Sequence, residues 1–376
     1  MKRTGGKTMD RRAPWGKCVL LFGVVLMTLL GCTTTVVDQN AVAINEAMAA
    51  GDAYYDAGDY QLAIDKYATV TDLDKDYLDA WINKARSEVA LGQTAAARAD
   101  LNTAKGIMEQ TTAEYADVEG MIFWHDGKRD DAVKSFTESI AIKPTAYAYS
   151  NRGHVNYELH KLDEAKSDLT EAIKLNPDLA EPHHTLAQIA VDAGDYVNAK
   201  KYAESGLKLD AKDARNQAII GYSTLMLIAD DVTEEVRTQK EAQAWKELEA
   251  AKTLDAKEAV VYNYMGLYKA ELGDYEEAKK LYDQAIGLND KEATFYNNRG
   301  IAYYNLGKNG EALTDVNRAI TLDKLNPEFF LGRGFILTTQ GLEENAIADF
   351  KQAVKLDAKY IERVPGWLAA QVKSED

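Results

Sequence analysis

Residues 146–179 read AYAYSNRGHVNYELHKLDEAKSDLTEAIKLNPDL, and this stretch decides the fold. Small residues stand at its positions 8, 20 and 27 (Gly153, Ala165, Ala172), and a proline at position 32 (Pro177). Residues 146–159 and 163–175 each place apolar side chains at helical spacing, with a turn between them. Two helices joined so closely can pack only where one side lacks bulk, and the small residues supply those places. The frame returns at 259 (Gly266, Ala278, Ala285), at 293 (Gly300, Ala312, Ala319) and at 327 (Gly334, Ala346, Ala353). Fainter copies begin at 44, 78, 113 and 180, the third of them one residue short. Another copy, 214–258, is stretched by 11 residues: Gly221 holds position 8, while Ala244 and Ala251 take the late alanine places. The units are therefore 44–77, 78–111, 113–145, 146–179, 180–213, 214–258, 259–292, 293–326 and 327–360. One unit cannot bury its apolar stripe by itself, so neighbours must stack into a continuous core.

The turn inside the unit carries glycine in seven copies (Gly58, Gly92, Gly127, Gly194, Gly273, Gly307, Gly341), as a left-handed helix end requires. Aromatic and aliphatic residues such as Tyr262, Tyr282, Tyr303 and Phe350 recur on the apolar stripe, so most of the 21 tyrosines read as framework. This pattern resembles the tetratricopeptide repeat over residues 44–360. The resemblance implies an all-α, right-handed superhelical solenoid of about nine helix-turn-helix repeats. In that architecture the first helix of each pair, helix A, lines a concave face through positions 2, 5, 6, 9 and 13. The groove candidates it supplies are Asn83, Arg86, Asn151, His154, Asn263, Asn297 and Asn298. An asparagine amide both donates and accepts, which suits an extended peptide backbone. The Lys and Asn clamp that some relatives use for a C-terminal carboxylate is not matched, so chaperone-tail binding is not expected.

One covariation inside the chain carries its own information. Position 7 is basic in four copies (Lys84, Arg152, Arg299, Arg333), and position 23 is aspartate in the same four (Asp100, Asp168, Asp315, Asp349). The other five copies have neither. The expectation is a structural ion pair between the two helices of a repeat, modest in worth unless partly buried.

The first 31 residues read as an export signal. Six basic residues against one acid precede the apolar run CVLLFGVVLMTLL at 18–30. At about 1.5 Å per residue this run is too short to span a hydrocarbon core. It ends in Leu29-Leu30-Gly31-Cys32, which resembles the lipobox of bacterial lipoproteins. The resemblance implies cleavage before Cys32, attachment of palmitate-type acyl chains there, and a mature protein held on a membrane. Residues 32–43 would then be a tether. Thr33 after the cysteine implies sorting to the outer membrane, facing the periplasm. Residues 361–376 follow the last repeat, and Pro365 is placed to open a short capping helix through Trp367 and Leu368.

Composition excludes several classes. The 376-residue chain has a net charge of −16, which becomes −21 without the signal. Binding to nucleic acid would need clustered cations, so none is expected. Two cysteines exclude a disulfide framework. No HExxH occurs, and the adjacent His183 and His184 diverge by about 100° on a helix. Asp72, Asp74 and Asp76 have calcium-loop spacing, but Tyr77 stands where the loop needs glycine. No catalytic constellation, cofactor or metal is expected, and the chain does not read as an enzyme.

The functional expectation is an envelope scaffold that binds polypeptides, favouring those with basic segments because of its charge. The alternatives are an assembly factor for an outer-membrane machine, such as a secretin pilot or a barrel-assembly subunit, and a cell-wall glycan binder. The stretched sixth unit reads as a lengthened helix A, Leu225–Ile228, followed by a long turn.

Overall fold

The computed structural model describes residues 39–108 and 110–373. Cys32 and the whole signal lie outside the described residues. Within them the chain is helical and contains no strand. Eighteen α-helices form nine antiparallel pairs: α1 (Gln39–Asp56) with α2 (Tyr60–Leu73), α3 (Leu78–Ala90) with α4 (Thr94–Ile107), and α5 (Ala113–His125) with α6 (Arg129–Ile142). Next come α7 (Ala146–Glu158) with α8 (Leu162–Leu175), α9 (Glu181–Asp192) with α10 (Tyr196–Leu209), and α11 (Ala214–Met226) with α12 (Glu234–Leu254). The array ends with α13 (Ala259–Glu271) and α14 (Tyr275–Leu288), α15 (Ala293–Asn305) and α16 (Asn309–Leu322), and α17 (Pro327–Thr339) and α18 (Glu343–Leu356). Odd-numbered helices are the A helices, and each B helix packs back on its own A helix and forward on the next.

Local chemistry sets these boundaries. Glycine ends most A helices in the left-handed region, as at Gly92 (φ 72°), and the next amide, Gln93 N–H, donates 2.8 Å back to Glu88 O. In the fourth repeat His160 holds that place with φ 56°. Several A helices start at a polar cap: the hydroxyl of Thr145 accepts from Ala148 N–H, and the amide oxygen of Asn326 from Glu328 N–H. Close approach explains the glycines at position 8. A Cβ on Gly266 would lie 2.5 Å from Tyr282 Cε1, and one on Gly221 only 3.0 Å from the backbone nitrogen of Leu248.

Two sequence expectations are corrected here. α1 begins at Gln39, so residues 39–43, read as tether, are helical. The sixth unit does not lengthen helix A: α11 has 13 residues like its counterparts, whereas α12 has 21 against the usual 14. The extra length grows where Thr233 caps a new N-terminus and Glu234 and Glu235 meet the positive helix end. At the C-terminus a 3-10 turn (Ala358–Arg363) and α19 (Gly366–Lys373) close the last face. Leu368 and Val372 are buried there against Phe330 and Phe350, while Trp367 turns outward.

Candidate functional site in the concave groove

The A helices of repeats one to four enclose a groove with a cavity of about 470 Å³. Three of its lining residues, Asn83, Arg86 and Asn151, were singled out by position. Asp52, Tyr55, Tyr67, Glu114, Asp117 and Tyr147 join them, with the hydroxyl residues Ser139 and Thr145. Three carboxylates and one arginine meet in this lining. Tyr67 O–H donates to Asp52 Oδ1 at 2.7 Å, and Asn83 Nδ2 approaches the same oxygen at 3.5 Å. Lys143 neutralises Glu114 at 3.0 Å. Asp117 is less well served. Asn151 Nδ2 donates to it at 3.4 Å, and Arg86 stays 3.8 Å away. Burial therefore pushes the Asp117 carboxyl up, against the pull of Arg86 and Asn151.

The second half of the inner face is built differently. Its walls are joined by hydrogen bonds that cross from repeat to repeat. Tyr157 O–H donates to Asp192 at 2.7 Å, Gln188 Nε2 donates to Asp192 at 3.0 Å, and Tyr264 O–H donates to Gln188 Oε1 at 2.8 Å. The Asp192 carboxyl meets solvent yet is ringed by the inner wall, and desolvation pushes it up. At one edge the ribbon returns on itself: His160 Nε2 lies 2.9 Å from Asp323 Oδ2, a contact between repeat four and repeat eight. Desolvation works against it, but His160 and the nearby Arg129 hold the Asp323 carboxyl below its ordinary range.

The remaining groove candidates are placed as follows. His154 packs at a tilt against Trp124, ring centres 4.9 Å apart, and its Nδ1 lies 3.0 Å from Thr185 Oγ1. Burial pushes the imidazole down, against the pull of Glu181 and Glu158. Asn298 Nδ2 donates to Asn263 Oδ1 at 2.8 Å. Asn263 and Asn297 are only 6% and 3% exposed, so neither is presented to a partner. The cause is general. Position 5 is buried in eight of nine repeats (Ile82, Asp117, Ser150, His184, Ala218, Asn263, Asn297, Leu331), because it faces the neighbouring A helix. Positions 2, 6 and 9 face the groove. Asp52, Glu114 and Tyr147 could have been found from those columns of the sequence.

The four cation–aspartate pairs meet. Lys84 Nζ lies 2.9 Å from Asp100. Arg152, Arg299 and Arg333 grip Asp168, Asp315 and Asp349 through two hydrogen bonds each, 2.7–2.8 Å long. Sequence reasoning missed a third contact. The remaining guanidinium nitrogen reaches back to helix B of the preceding repeat, at Thr137 (3.0 Å), Asp283 (2.7 Å) and Asn317 (2.6 Å). Each arginine thus ties its repeat to the one before it.

Sequence models of the tetratricopeptide repeat match residues 48–109, 146–179, 180–213, 265–327 and 298–361, more than half of the chain. The chain is a tetratricopeptide-repeat protein. The Hsp70-Hsp90 organizing protein of Triticum aestivum is 29% identical over 99 residues, 26% of this chain and 17% of the relative. The RNA polymerase II-associated protein 3 of Xenopus laevis is 28% identical over 233 residues, 60% of this chain and 33% of the relative. The chain thus spans a third or less of the length of these two relatives. Among solved structures, the Cut9-Hcn1 heterotetramer of the APC/C aligns with a TM-score of 0.55 at 13% identity, over 89% of this chain and 63% of that one. The human IFIT1 dimer with m7Gppp-AAAA aligns with a TM-score of 0.54 at 15% identity, over 88% and 82%. These likenesses concern the fold. No described helix is long and apolar enough to cross a membrane, and no group of described His, Cys, Asp and Glu residues is arranged to hold a metal ion.

Proposed function

We propose that this tetratricopeptide-repeat protein is a lipid-anchored interaction scaffold of a bacterial cell envelope. It holds an extended polypeptide in the groove of repeats one to four. The observation that carries the reading is that groove itself: about 470 Å³ of open space on the inner face, with the amides of Asn83 and Asn151 at its wall. Backbone groups of an extended segment need such two-way partners when they leave water. The second half of the inner face is already filled by its own hydrogen bonds and serves as a rigid support. Anchoring at Cys32, on the periplasmic side of the outer membrane, rests on the sequence around that cysteine. The carboxylates of the inner wall disfavour a phosphate chain of the kind seen with IFIT1.

Selection of a random dodecapeptide library on the full chain in detergent tests the groove. Selected peptides should lose affinity at least tenfold when Asn83 and Asn151 are both changed to alanine, with helicity unchanged. A library that yields no binder, or binders indifferent to both changes, refutes the groove reading. The anchor is tested separately: Cys32→Ser should abolish incorporation of labelled palmitate and release the protein from membranes.

A further inference from the structure

We infer that the groove of repeats one to four takes a basic side chain, the guanidinium or ammonium of a partner's Arg or Lys, between Asp52 and Asp117. This rests on the polypeptide reading above and names the chemistry at its centre. The lining holds three carboxylates, Asp52, Glu114 and Asp117, against one cation, Arg86. Lys143 from outside the cavity satisfies Glu114 at 3.0 Å. One negative charge is left over, and the geometry shows where it is felt. Asp117 is 7% exposed, yet its carboxylate receives one long hydrogen bond, 3.4 Å from Asn151, and a guanidinium that stops at 3.8 Å. The buried Asp168, Asp315 and Asp349 are each gripped twice by an arginine at 2.7–2.8 Å. A carboxylate so buried and so poorly served demands a donor, and the open side from which one can come is the cavity.

The aromatic lining agrees. Tyr55 stands close enough to Asp117, Arg86 and Tyr147 to feel all three, and its hydroxyl is pushed up to about 12, first by burial. Tyr67, already bonded to Asp52, faces the same space. Phenol rings beside carboxylates are a favourable seat for a cation that keeps its charge while losing water. An entering anion would meet three carboxylates and one arginine that is itself drawn towards Asp117. The volume is within the range of small-ligand sites, so an arginine side chain and its flanking backbone fit.

The test uses N-acetyl-arginine methylamide as probe and N-acetyl-citrulline methylamide as its neutral isostere. The readout is the side-chain amide signals of Asn83 and Asn151 in the full chain, labelled at asparagine and held in detergent. The arginine probe should shift both signals saturably, and the citrulline probe should bind at least tenfold more weakly. Asp117→Asn should weaken the arginine probe at least tenfold, whereas Asp163→Asn, on an exposed face of α8, should not. Equal binding of the two probes overturns the inference, and that comparison needs no variant. An unchanged affinity in folded Asp117→Asn overturns it as well. The peptide library separates the two claims. Groove binders without a basic residue at a constant place sink the cation pocket and leave the polypeptide reading intact. A responsive arginine probe with no selected peptide supports the pocket and sinks the polypeptide reading.

Discussion

Arg152→Met, Arg299→Met and Arg333→Met remove the same guanidinium fork from three repeats, yet they should not cost the same. Each change strands an aspartate, Asp168, Asp315 or Asp349, that is 5–6% exposed. Breaking one side of a fully buried pair costs about 3–5 kcal/mol. The arginines here keep 19–25% of their side-chain exposure, so each loss should fall near 2–3 kcal/mol, at or below the low end of that range. The third contact then separates the sites. In repeats four and nine it is neutral, the Thr137 hydroxyl or the Asn317 amide, so no second charge is stranded. In repeat eight it is Asp283, so a second carboxylate loses the same guanidinium, although it keeps Lys279 at 2.7 Å. This adds up to about 1 kcal/mol, because Asp283 is 38% exposed and screened by solvent and by its lysine.

Amide hydrogen exchange in the affected helix pair is the suitable assay, because long repeat arrays do not unfold all-or-none. Protection in α15 and α16 should fall further in Arg299→Met than it does in α7 and α8, or in α17 and α18, for the other two variants. Equal losses at the three sites would refute the three-way bridge.

Further outcomes follow from the same packing. Gly266→Ala should destabilise by about 1–3 kcal/mol through overpacking on Tyr282, partly offset by helix propensity, whereas Gly287→Ala, with nothing within 4 Å, should stabilise by up to about 1 kcal/mol; urea midpoints give the signs. The Glu88 carboxyl is pushed up to about 7, first by desolvation and then by Asp100, against Lys84. Its folded value exceeds its unfolded one, so its contribution is full below about pH 4.5 and is lost as pH rises through 7. Glu88→Gln should flatten that part of the stability profile, and an unchanged profile would count against it. His160→Gly relieves a left-handed backbone cost of about 1–2 kcal/mol but removes the contact with Asp323. Small-angle scattering should show a larger radius of gyration, and an unchanged radius would mean that the contact does not hold the turns together.

The repeat frame was legible from residues alone because every copy obeys the same local rule: small residues where helices meet, glycine where a helix must reverse. Gly153, Gly266 and Gly334 all face a bulky partner on the following B helix, so one unit predicted the rest. The pairing of position 7 with position 23 could be read for the same reason, being confined to a single unit. What the sequence could not reveal depends on curvature. Asn263 and Asn297 looked like groove residues by column, but the bend of the array presses position 5 into the next A helix. Asp117 shares that column, and only its place beside the opening left by Asp52, Arg86 and Asn151 turns it towards a cavity. The reach of Arg299 to Asp283 and the meeting of His160 with Asp323 join different repeats, the latter 163 residues apart. Period and spacing determine how one helix pair folds. The small rotation from pair to pair accumulates along the chain, so the stacked array alone decides which side chains converge.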